Sequence, residues 1–183
     1  DRIKSVFRWE NSYIYPACAS LYVDKCQQVD TGIMLNCRGL LRKHTSFFSG
    51  FRGISQLVLI SMLALDADPE GRLRRTTDLY STLRSYFSSS QYLPLVAMIF
   101  SGSVSTEESS GFAQKTRHIY NLMKRTHPYL TTSEDIVYSS LMALSGSDAN
   151  QLIPDSERCF VLLKKKFFSK NAVQSLSNVL AIC

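Results

Sequence analysis

Three histidines and five cysteines, with many serines, carry whatever acid–base, metal or nucleophilic chemistry this 183-residue chain can perform. Imidazole titrates near neutrality and ligates metals through either ring nitrogen, so His44, His118 and His127 come first. His118 has no His, Cys, Asp or Glu four residues away, the spacing that puts two ligands on one helix face. Cys37 and His44 lie two helical turns apart and share a face, but two ligands do not close a tetrahedral site. His127 precedes Pro128 at an expected helix end, where an imidazole commonly meets the last carbonyls. Cys18, Cys26, Cys37, Cys159 and Cys183 form no CxxC pair. Cys18 and Cys159 fall on apolar positions, where a thiol packs as a small hydrophobe. Their odd number and wide spacing favour free thiols in a reducing compartment. The serines lack both a GxSxG elbow and an SxxK pair. Gly50 and Gly53 flank Phe51 and Arg52 without the GKS/T ending of a phosphate-binding loop. The expectation is no catalytic residue, no metal site and no cofactor.

Binding chemistry has better candidates. Arg52 lies in a glycine-flanked turn, and Glu134 and Asp135 lie at a similar turn about 80 residues later. If repeated units stack in register, such turns line one edge of the array, where helical repeats often bind partners. The plainer reading is that Arg52 caps helix carbonyls while Glu134 and Asp135 complement a helix dipole. Lys164, Lys165 and Lys166 suit a solvated helix face better than an anion site.

The elements that must position these residues are helical throughout. No segment alternates with period two over a strand's length, and no Asn-Gly or Asp-Gly hairpin turn occurs. Ser12 is the expected cap of a first helix with Pro16 in its opening turn, and Val29 to Gly32 should break it. A second helix is expected over about 33–47, with Leu35, Leu40 or Leu41, and Phe48 toward the core. The segment 54–65 is apolar on nearly all sides and should lie inside. Asp68-Pro69-Glu70 combines a capping carboxylate, a first-position proline and an acidic first turn, with Leu73, Tyr80, Leu83 and Phe87 on one face beyond it. Tyr92 to Phe100 forms a short helix started by proline. Ser105 to Glu108 has capping-box spacing, and Phe112, Thr116, Ile119 and Met123 share a face that should end at His127-Pro128. The next helix opens at Thr132 to Asp135 and should turn Val137, Leu141 and Leu144 inward. Another, started or kinked by Pro154, reaches Phe168, and a last one begins at Asn171.

Two passages recur. Met62-Leu63-Ala64-Leu65 returns as Leu141-Met142-Ala143-Leu144, and Ser12-Tyr13-Ile14-Tyr15-Pro16 as Ser90-Gln91-Tyr92-Leu93-Pro94, each roughly 80 residues on. A weaker spacing near 40 residues matches one helical hairpin. The expected fold is therefore all-α: stacked antiparallel helical hairpins in an α-solenoid-like or superhelical array. One domain would span 1–183, with units at 12–90 and 91–170 and a third, truncated unit from 171.

Composition agrees with a globular chain. Hydrophobic residues make up 45% and charged residues 20%, and no apolar run reaches the roughly 18–20 residues of a bilayer span. The net charge of +6 is scattered along the chain. A nucleic-acid binder would gather it beside stacking aromatics.

The motifs also resemble a known family. Trp9-Glu10-Asn11-Ser12, Thr45 to Gly53, Tyr92-Leu93-Pro94-Leu95, Leu130 to Asp135 and Phe168-Ser169-Lys170 occur in order and cover nearly the whole chain. They are similar to a bacterial family, mainly of Firmicutes, known only as a domain of unknown function. The resemblance implies members near 300 residues, so that this chain would be a fragment, and it brings no activity. Asn171 stands where the family pattern implies glycine, and Asn178 where it implies histidine.

The functional expectation is a cytoplasmic, non-catalytic scaffold that holds a protein or peptide. A nucleic-acid-binding array, suggested by the charge, and an enzyme whose active-site residues lie partly outside this segment are the alternatives.

Overall fold

A computed structural model describes residues 1–46 and 49–183, which form ten helices and no strand. The all-α expectation holds. The expected core position of Phe48 and the helix end at Phe47 lie outside the described residues. The chain divides into two compact units, Asp1–Thr106 and Glu107–Cys183.

The first unit holds α1 (Arg2–Val6), α2 (Ile14–Asp24), α3 (Thr31–His44), α4 (Gln56–Ala64), α5 (Pro69–Arg84) and α6 (Leu93–Phe100). Helix α4 is its centre, with α2, α3, α5 and α6 packed around it. Its Leu57, Leu59, Ile60 and Leu63 are wholly buried. Each such side chain contributes about 1.5–3 kcal/mol on leaving water, which explains why a helix apolar all round sits inside.

Helix starts follow local chemistry. Asp68 Oδ1 accepts from the Gly71 amide at 2.9 Å, and Pro69 opens α5, as expected. Asp30 does not end the preceding segment; it caps α3, accepting from Gly32 and Ile33 at 2.8 and 3.0 Å. Ser12 is not the cap of α2, since Asn11 Oδ1 takes the Tyr13 amide at 3.1 Å and the helix begins at Ile14. On α3 the buried stripe is Met34, Cys37 and Leu41. Leu35 is exposed instead, because it shares its face with the charged Arg38 and Arg42.

The turn after α3 is tightly specified. Gly50 has φ +79°, and a Cβ there would stand 2.9 Å from the Ser90 carbonyl oxygen. Phe51 is buried with its ring edge-on to Tyr80 at 4.9 Å, and the Tyr80 hydroxyl donates to the Ser49 carbonyl at 2.8 Å. Further along, Thr76 and Ser101 share a buried hydrogen bond of 3.1 Å that ties α5 to the end of α6.

The second unit holds α7 (Ser109–Thr126), α8 (Asp135–Leu144), α9 (Ala149–Leu163) and α10 (Lys170–Leu180). Helix α7 starts at Ser109, beyond the expected capping box, and buries Phe112, Thr116, Ile119 and Met123 before His127 ends it. Pro154 lies inside α9, whose start is capped by Asp148. Helix α8 turns Ile136, Ser139, Ser140, Met142 and Ala143 inward. The expected inward residues Leu141 and Leu144 are 36% and 43% exposed. Small side chains allow close packing here, and both serines satisfy their hydroxyls on the Ile136 carbonyl at 3.0 and 2.7 Å.

Within each unit four successive helices pair in one order. In the first unit α3 packs on α4, α4 on α5, α5 on α6, α3 on α5 and α4 on α6. In the second, α7 to α10 make the same five pairings. The repeat boundary read from sequence, between 90 and 91, lies inside the first unit between α5 and α6.

Candidate functional site

Arg52 is half-buried at the turn that follows α3, and its Nη2 donates to the Arg42 and Thr45 carbonyls, each at 2.9 Å. The Arg42 carbonyl belongs to the last turn of α3, which α-helical bonding leaves unpaired, and Thr45 is the extended residue that caps it. The guanidinium thus closes a helix end.

Glu134 and Asp135 differ from each other. Glu134 is the half-exposed N-cap residue of α8, while Asp135 is buried. Asp135 Oδ2 accepts from the Thr132 amide at 2.8 Å, which folds the turn back on the helix start. Its Oδ1 accepts from Gln174 Nε2 at 3.2 Å, and the same Nε2 donates to Thr131 Oγ1 at 3.1 Å. Thr131 Oγ1 donates in turn to the Met123 carbonyl at 3.2 Å, and Lys124 Nζ to the Thr131 carbonyl at 2.6 Å. Burial holds the Asp135 carboxyl above its ordinary range, against the opposing pull of the Thr132 amide. Asp135 therefore fastens the α7–α8 turn to α10.

Sequence reasoning missed the rest of this cluster. Ser156 Oγ donates to Asn178 Oδ1 at 2.8 Å, linking α9 to α10. His127 Nε2 pairs with Glu157 Oε2 at 2.7 Å, and its ring lies 4.4 Å from that of Phe160. A cavity beside these groups, lined by His127, Ser156, Glu157, Gln174 and Asn178 with apolar neighbours, leaves about 10 Å³ open to water. No organic substrate fits such a space. A signal was nevertheless present: α10 places polar residues at 174, 177 and 178, one helical face, and that face is buried with Val173. Its apolar residues Leu176, Val179 and Leu180 are 40–44% exposed.

Other chemistry is scattered. A groove of about 430 Å³ between α3 and α5 meets His44, Asp68, Glu70 and Arg74, but Asp68 there is spent on its cap. Burial pushes the Cys18 and Cys37 thiols up, away from the thiolate that a nucleophile needs, and the Tyr22 hydroxyl up to about 12. Among the described residues no group of three His, Cys, Asp or Glu side chains could hold a metal ion. No helix among them is long and apolar enough to cross a membrane.

The family model described as a protein of unknown function, DUF4003, matches residues 1–183. The chain belongs to that family, and the resemblance drawn from its motifs holds over the full length. No curated protein and no solved structure matches it.

Proposed function

We propose that this DUF4003 member is a non-catalytic helical-repeat scaffold that binds a protein or peptide in the cytoplasm. The observation that carries the reading is the inverted dressing of α10. Gln174, Ser177 and Asn178 are buried, whereas Leu176, Val179 and Leu180 form an i, i+3, i+4 stripe toward solvent. On α8, Leu141 and Leu144 are likewise exposed. Leaving such side chains 36–44% exposed forgoes roughly 0.5–1.3 kcal/mol each, a sacrifice that a binding surface explains.

The repeated order of helix pairing supports stacked hairpins as the architecture, with units of about 80 residues in a solenoid-like array. The bacterial range stays part of this proposal. In it, Glu134 is the turn residue placed to meet a partner, while Arg52 and Asp135 keep their turns in shape. In the second unit the buried polar groups bond one another beside a cavity too small for substrate, so the enzyme alternative would need the groove of about 430 Å³ between α3 and α5 or residues outside this segment.

Panning a random-peptide library over the full chain tests the reading. Enriched peptides should carry apolar anchors at helical spacing. A Leu176→Asp/Leu180→Asp variant with unchanged circular dichroism should bind them at least about tenfold more weakly, a change of about 1.4 kcal/mol. Failure to enrich any sequence, or equal binding by the variant, refutes the scaffold reading.

A further inference from the structure

Two buried polar atoms in the second unit point at one unassigned ligand. Gln174 and Asn178 are 3% and 2% exposed, one turn apart on the inner face of α10, and both line the small cavity beside His127 and Glu157. Gln174 Nε2 is occupied by Thr131 and Asp135, which fixes the amide orientation and leaves Oε1 as an acceptor without a partner. Asn178 Oδ1 is occupied by Ser156, which leaves Nδ2 as a donor without a partner. Turning the Asn178 amide over would exchange the two atoms and still leave one unmet. Buried polar groups in native proteins are nearly always hydrogen-bonded, and the rest are met by internal water.

The cavity offers about 10 Å³ to water, close to the roughly 10–15 Å³ that one molecule requires. We propose that a single internal water binds there, accepting from Asn178 Nδ2 and donating to Gln174 Oε1. Ser156 and Glu157 line the same cavity, the first bonded to Asn178 and the second to His127. With Asn178 oriented by the Ser156 hydroxyl, a neutral molecule that both donates and accepts fits this pair. The water completes the polar seam between α9 and α10, where Val173 is the one buried apolar residue of α10.

Two measurements on the full chain decide the matter. In a rotating-frame NMR experiment the Asn178 side-chain amide protons should show a cross-peak to a long-lived water, and Ser156→Ala should retain it. A peak that disappears in that variant belongs to the serine hydroxyl and overturns the proposal, as does an assigned, ordered amide with no peak. Should Ser156→Ala fail to fold, a high-resolution crystal structure of the unaltered chain settles the point. Density within hydrogen-bonding distance of Gln174 Oε1 and Asn178 Nδ2 supports the water. Absent density, or a peak at metal–ligand distance, overturns it.

Discussion

Asp135 shows how much one buried carboxylate constrains. Its carboxyl pKa lies above the ordinary carboxylate range because burial penalises the charge more than the Thr132 amide and Gln174 relieve it. The folded chain therefore holds this proton more tightly than the unfolded chain. The corresponding stability is complete below the unfolded pKa and is lost as pH rises through the higher folded value. Asp135→Asn removes the titration. Its urea midpoint, measured against the unaltered chain from about pH 3 to pH 7, should rise relative to it across that window; parallel curves would show that Asp135 is not perturbed. Gly50 makes a second case at this scale. With φ +79° and a Cβ that would reach the Ser90 carbonyl, Gly50→Ala should cost about 1–3 kcal/mol in chemical denaturation. A change within error would mean the turn relaxes freely. Single residues were legible where local chemistry was complete: Asp68 before Pro69 announced its cap. Ser12 looked as good, but a cap is decided by backbone direction at the turn, which the residue types do not encode.

Among the elements, α4 and α8 carry the recurring Met-Leu-Ala-Leu and Leu-Met-Ala-Leu runs, in which Leu63 and its counterpart Met142 are wholly buried, while Leu144, the counterpart of the half-buried Leu65, is 43% exposed. Leu63→Ala should cost about 2–5 kcal/mol by lost burial and cavity formation. Leu144→Ala should stay within about 0.5 kcal/mol. Equal losses would mean that Leu144 is covered in solution. The inner face of α7 was legible because its apolar residues keep helical spacing against polar ones. On α8 apolar residues occur all round, so periodicity could not choose a face, and the serines on the buried side satisfy their hydroxyls on the helix's own backbone. Helix α10 was harder still, since its hydrogen-bonded polar face is the buried one.

At the scale of the molecule, charge is the property that most sharply separates the candidate functions. The chain carries +6, enough to draw polyanions at low ionic strength whatever its biological role. Helical content and family membership were readable at this scale, because periodicity and motif order accumulate over the whole length. The division at Thr106 was not, since compactness depends on long-range packing. Affinity for nucleic acid that rests on neutralised phosphates falls linearly with salt on logarithmic axes, with a slope of about −0.9 per contact on duplex DNA. A scaffold with scattered basic residues should show weak binding to labelled DNA and RNA at about 50 mM salt, a shallow slope, and none by about 200 mM. A dedicated binder would keep micromolar affinity at the higher salt with a slope reporting several phosphates. That second result would displace the scaffold reading, and the exposed stripe on α10 would then need a different occupant.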